Sequence, residues 1–169
     1  MALKDLPTGS HPVSAATCRA SERRDVQRAI EHWQRNTWGK DCIPFLDTYD
    51  FSSMRGDWGC RFLICGDYAV EKSVFVTYGP RFAQLLGLPG KVLTSTPFLE
   101  QIPNRCREMF LEGCDQANIE SSPVILEGMF EVKSELELFR AVFMPILLQP
   151  NWSKRLILGS FNYRPASAK

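Results

Sequence analysis

The chain closes on three strand-length apolar runs, PVILEGMFEV, ELFRAVFMPILL and KRLILGSFNY, joined by KSELE and QPNWS. In the first run Val124, Leu126, Phe130 and Val132 share one side of the pleat, while Glu127 and Glu131 take the other. A strand with one dry and one wet face belongs to an antiparallel sheet, and the dry face must be covered. The second run is different. Phe139, Ala141 and Phe143 alternate with Arg140, Val142, Met144 and Ile146, so both faces are apolar and the direction of Arg140 stays open.

Upstream, GCRFLICG and KSVFVTYG are two shorter apolar runs separated by GDYAVEK, the pattern of a hairpin with a longer loop. Between hairpin and meander lie short helical segments. In YGPRFAQLLGLPGK, Pro80 suits a first helical position, Phe82, Leu85 and Leu86 form one face, and Gly87 with Pro89 ends the element. Thr96 before Pro97 opens PFLEQI. Residues 103–120 form a longer helix with Cys106, Met109, Phe110, Cys114 and Ala117 on one stripe. Ahead of all this, Val26, Ile30 and Trp33 recur at i, i+4 and i+7, which predicts an amphipathic helix from about 22 to 37, stopped by Gly39 and Pro44. A helical turn is expected near 47–54. The expected organisation is a mobile arm over 1–20, an N-terminal helix over 21–40, and one α+β domain over 41–165 with a five-stranded antiparallel sheet and its helices on one face.

Composition removes several functions. The 169 residues carry 20 Lys+Arg and 19 Asp+Glu, a net charge of +1. Such a balance gives no general pull toward nucleic acid or anionic lipid. No run approaches the roughly 20 apolar residues of a membrane helix, and the first residues lack a secretory apolar region, so the expected location is the cytoplasm. The two histidines, His11 and His32, lie near no evident metal ligand or nucleophile, which takes the usual centre from His-based catalysis and metal binding. Six cysteines without a C-x-x-C pair are read as buried small hydrophobes.

Two strands, a helical cluster with one longer connecting helix, and three closing strands is the chain order of PAS domains. Residues from about 26 to 163 resemble the small stand-alone PAS-family proteins common in alphaproteobacteria. The resemblance rests on AIEHWQ, DCIPFLDTYDF, CRFLICG, YGPRFAQLLGLPGK, FRAVFMPILL and RLILGSF. Cys65-Gly66-Asp67 departs from the Gly-Thr that usually follows the first strand. The resemblance implies a hollow between sheet and helices for a small ligand, and dimerisation through the N-terminal helix. Haem-binding relatives use a histidine on the long helix, and here that helix has none. Gly59-Cys60-Arg61-Phe62-Leu63 partly matches the flavin-attachment motif of light-oxygen-voltage domains, yet lacks its Asn and Gln and falls in a strand. No cofactor is therefore expected.

The candidates for lining the hollow are Phe82, Leu86, Met109, Phe110, Leu126, Phe130, Phe143, Leu156 and Leu158, which otherwise form the core. Arg140 joins them if it points inward, where it would meet a carboxylate-bearing ligand. Arg61 and Arg155 also interrupt apolar strands and must be paired or solvated. Val26, Ile30 and Trp33 either cover the outer sheet face or pair with a second copy, and a homodimer is the expectation. The leading functional reading is a non-catalytic sensory or regulatory module that binds a small ligand and signals through a partner protein. A ligand-free interaction adaptor of the same fold is the alternative. An enzyme acting on a hydrophobic substrate is a third reading, because Glu127 and Glu131 lie on a wet face and form no acid-base pair.

Overall fold

The computed structural model describes residues 15–39, 42–66, 69–149 and 155–166, the first eight of them by backbone alone. Helix α1 spans Ala15–Arg35. Two 3-10 segments follow, Leu46–Thr48 and Ser52–Cys60. Then come β1 (Arg61–Cys65), β2 (Val74–Tyr78), α2 (Pro80–Leu86), α3 (Phe98–Gln101), α4 (Asn104–Glu120), β3 (Val124–Val132), β4 (Glu135–Leu147) and β5 (Arg155–Pro165). The strands form one antiparallel sheet in the order β2-β1-β5-β4-β3, so the expected five-stranded α+β architecture is present.

Helix α1 begins at Ala15 and takes in the last six residues of the stretch expected to be an arm. The run AATCRASERR holds good helix formers and no Gly or Pro, so it carries no helix stop. The rest of that arm, 1–14, lies outside the described residues, as does most of the QPNWS joint. The β3–β4 joint is shorter than expected. Lys133 and Ser134 both have positive φ, 49° and 68°, which is the two-residue hairpin turn whose twist matches the strands, and Glu135, Leu136 and Glu137 already belong to β4. Pro80 opens α2, and Gly87 closes it in the left-handed region at φ 66°.

The pleat of β4 sorts the molecule into two cores. Ala141 and Phe143 face inward to α2 and α4, together with Phe62 of β1 and Phe161 of β5. Val142, Met144 and Ile146 face outward beneath α1, with Leu63, Leu156 and Leu158. Both faces of β4 read as apolar because both are covered. The inner layer is built on phenylalanine. Phe62, Phe75, Phe82, Phe98, Phe110, Phe143 and Phe161 are all fully buried, and neighbouring rings in this group sit with centroids 5.0 to 6.3 Å apart.

One glycine shows how close this packing is. A Cβ at Gly113 of α4 would fall inside contact distance of the Phe143 ring, so α4 approaches the sheet as closely as it does because residue 113 has no side chain. Gly113→Ala is expected to lose about 1–3 kcal/mol through overpacking, measured by urea unfolding. A loss below the error of that measurement contradicts the close approach.

Candidate functional site

The residues expected to line one hollow divide between the two faces. Phe82, Leu86, Met109, Phe110, Phe130 and Phe143 are brought together in the inner core, with Leu126 half-buried against it. Leu156, Leu158 and Arg140 are not. Leu156 and Leu158 lie beneath α1, two strand positions apart on the outer side of β5. Arg140 alternates with inward Ala141 and so projects outward too, where Nη2 meets Glu127 Oε1 at 2.6 Å. The open question about Arg140 is settled by an ion pair across the β3–β4 register rather than by an inward carboxylate.

Arg61 also points outward but ends in a different setting. It is 1% exposed and its Nη1 donates to Asp25 Oδ2 of α1 at 2.9 Å. The same carboxylate oxygen accepts from Ser160 Oγ and, at 3.2 Å, from Asn162 Nδ2, both on β5. Asn162 Oδ1 in turn accepts from Cys60 Sγ at 3.0 Å. One carboxylate thus gathers three donors beneath a helix, an arrangement that compensates a charge removed from water. Sequence reasoning passed over Asp25, although it falls four and eight residues before buried Ala29 and Trp33 and so shares their helix face. Ser160 and Asn162 likewise continue the outward row of Leu156 and Leu158.

Arg155, the third strand arginine, caps a helix. Its Nη1 donates to Asn118 O at 2.6 Å and to Ser121 Oγ at 2.9 Å, placing a cation on the last carbonyls of α4.

The stripe expected to dimerise is turned onto the chain's own sheet. Val26 and Trp33 are buried against the outer core, Ile30 packs beside them, and Trp33 Nε1 donates to Pro145 O at 2.8 Å. The correction has a simple cause. The outer row Val142, Met144, Ile146, Leu156 and Leu158 is too apolar to face water, and α1 is the nearest cover.

His32 lies on the same helix and, contrary to its isolation in sequence, meets two hydroxyls. Nδ1 is 3.0 Å from the Tyr49 hydroxyl and Nε2 is 2.7 Å from Ser53 Oγ. A serine beside a histidine invites a nucleophilic reading, but the surroundings oppose it. The Ser53 backbone N–H donates to Asp50 Oδ1, and its hydroxyl also reaches Asp50 O at 3.2 Å. The amide that would have to stabilise an oxyanion is taken by a carboxylate, which would repel that charge. The cluster ties α1 to the loop after it. Burial lowers the His32 pKa from its ordinary 6.5, Arg35 and Arg61 act in the same direction, and Asp50 opposes them. The folded chain therefore binds this proton less tightly than the unfolded chain. Stability is fully present above about pH 6.5 and falls as pH drops through that value toward the lower folded pKa. Urea unfolding at a series of pH values is expected to show this fall and to show it flattened in His32→Gln. An unchanged slope in the variant contradicts the assignment.

The interior does not suit haem or flavin. Cys106 and Cys114 sit on the buried stripe of α4, and burial pushes both thiols up, Cys106 to about 11, so neither is poised as a thiolate. Cys60, the cysteine of the partial flavin motif, bonds to Asn162 on the outer side of the sheet. An isoalloxazine or porphyrin ring in the inner layer would have to displace several of the packed phenylalanines. Among the described residues no cluster of three or more His, Cys, Asp or Glu is placed to hold a metal, and no helix is long and apolar enough to cross a membrane.

Two grooves lie at the periphery. An apolar groove of about 450 Å³ runs along the outer side of β1, between Phe51, Met54, Trp58 and Leu63. A second groove, about 480 Å³, follows the boundary of α4 and β3 past Glu108, Met109, Glu112, Phe130 and Glu131.

No protein-family model matches the chain, and no curated protein matches it. Among solved structures it is similar to a domain of an HTR-like protein from Haloarcula marismortui, at 10% identity and a TM-score of 0.40, over 63% of this chain and 98% of that one. It is also similar to a fungal LOV domain photoreceptor, at 17% identity and a TM-score of 0.39, over 62% of this chain and 75% of that one.

Proposed function

We propose that the chain is a non-catalytic regulatory module of PAS-like fold that acts through contacts with a partner protein, with its interior filled by its own side chains. Of the two expectations for such a module, small-ligand sensor and ligand-free adaptor, the geometry favours the adaptor. The observation that carries this reading is the phenylalanine layer. Phe110 alone packs, tilted or edge-to-face, against Phe62, Phe82, Phe98, Phe143 and Phe161, all fully buried, where the sensor reading places its ligand. A guest between rings in mutual contact has room only if they move.

The catalytic alternative draws no support from Glu127 and Glu131. Glu127 is half exposed and paired with Arg140, and Glu131 is exposed on the same outer row. Signalling through a partner and any self-association remain parts of the proposal. Native mass spectrometry of freshly purified full-length protein separates the two readings. The adaptor reading predicts the bare mass of the chain or an integral multiple of it. A stoichiometric small-molecule increment, lost on denaturation, supports the sensor and overturns the adaptor.

A further inference from the structure

The two edges of the sheet are finished differently. At the β2 edge, Val74 forms an antiparallel bridge to Pro97, and the Phe98 N–H donates to Ser73 O at 2.8 Å, so neighbouring chain closes part of that edge. At the other edge stands β3, nine residues long, whose backbone pairs with β4 alone among the described residues. Natural edge strands are commonly blunted by charged side chains, lysine above all, by proline or by a bulge, and of these β3 has its two glutamates alone. The β3 sequence VILEGMFEV has no lysine and no proline, and its register with β4 is unbroken from Val124 to Val132. Two hydrophobic residues of its outward row are exposed, Met129 at 63% and Ile125 at 47%.

The groove along this edge has an apolar floor, from Met109, Leu126 and Phe130, and an acidic rim. Of its five charged lining residues, four are glutamates, and the exception, Arg105, is paired with Glu137. Among the described residues no ion pair engages Glu108, Glu112 or Glu131. Glu108 and Glu112 stand one helical turn apart on α4, above the edge, and Glu131 lies on the outward row of β3. A strand laid against β3 would turn every second side chain toward Glu108 and Glu112 on the α4 side and the others toward the outward row, where Arg140 pairs with Glu127 and Glu131 is the carboxylate left without an ion pair among the described residues.

We propose that the β3 edge accepts an extended, lysine- or arginine-bearing segment of a partner protein as a sixth strand. Backbone hydrogen bonding supplies the pairing, and the groove selects the charge. A second copy of this chain is the less suited occupant. Antiparallel pairing of two β3 strands centred on Met129 would oppose Glu127 of each to Glu131 of the other, and like charges directly opposite are destabilising. The proposal rests on the reading that the chain acts through protein contacts. Mass spectrometry tests that reading and peptide titration tests this site, so each can fail alone.

The probes are two labelled nine-residue peptides, one alternating lysine with valine and one alternating glutamate with valine, titrated against the full chain. The lysine peptide is expected to bind, to weaken steeply with added salt, and to slow hydrogen exchange at β3 amides. The glutamate peptide is expected not to bind. The double change Glu112→Lys/Glu131→Lys, at two exposed positions, should weaken the lysine peptide at least tenfold, whereas Glu71→Lys, outside the lining of the groove, should leave it unchanged. The proposal is overturned by absence of binding, by equal binding of both peptides, by equal effects of the two charge reversals, or by binding that leaves β3 exchange untouched.

Discussion

Asp25→Ala is expected to lower the unfolding free energy by about 3–5 kcal/mol, the range for removing one member of a buried ion pair. The cost arises from what remains. Arg61 is 1% exposed, and without the carboxylate its guanidinium stays buried among Leu63, Val142 and Leu158, while Ser160 and Asn162 lose their acceptor. Arg61→Met should cost less. Asp25 then keeps both β5 donors, and its side chain, 14% exposed, retains some contact with water. The double change Asp25→Leu/Arg61→Met should recover most of the loss, because it removes both charges and leaves an apolar contact of similar volume. Urea unfolding gives the three energies, and hydrogen exchange along α1 shows whether the helix loosens from the sheet. If Asp25→Ala costs no more than a surface ion pair, up to about 1 kcal/mol, the network does not hold α1 in place.

Phe110→Ala should be comparably costly, about 3–5 kcal/mol, because truncating a fully buried ring removes its transfer energy and leaves a cavity that rigid neighbours only partly fill. Phe110 touches five other buried phenylalanines from three strands and two other helices, so few of them can move without disturbing the rest. The void should be dry and apolar, and benzene should raise the melting temperature of the variant while leaving the native chain unaffected. Phe110→Leu offers the same comparison at a smaller loss if the alanine variant folds poorly. Stabilisation of the native chain by benzene to the same extent as the variant would show that open space already exists inside it.

Sequence pattern located every strand and the two long helices, because their apolar periods match the cores they meet. The alternation in β3 places Val124 and Phe130 in and Glu127 and Glu131 out, as the structure has them, because its outer row is exposed. β4 could not be read that way. Its outer row, Val142, Met144 and Ile146, lies under α1, and periodicity cannot tell two apolar covers apart. The same ambiguity in β5 sent Leu156 and Leu158 to the wrong side of the sheet. The strand arginines posed a harder problem, because their partners are set by tertiary distance. Arg61 meets Asp25, 36 residues away, and Arg155 meets Asn118, 37 residues away. His32 looked isolated for the same reason, its two partners lying 17 and 21 residues further on. Asp25 did leave a trace, as a carboxylate in register with a buried helix face, and such a residue predicts a cation across the interface.

The filled interior separates this account from that of a small-ligand sensor, and electron density in a crystal grown without additives tests it most directly. Continuous side-chain density for Phe62, Phe82, Phe110 and Phe143, ring against ring between α4 and the sheet, is the predicted result. Separate density in that layer that no side chain explains, with those rings turned aside around it, would contradict it.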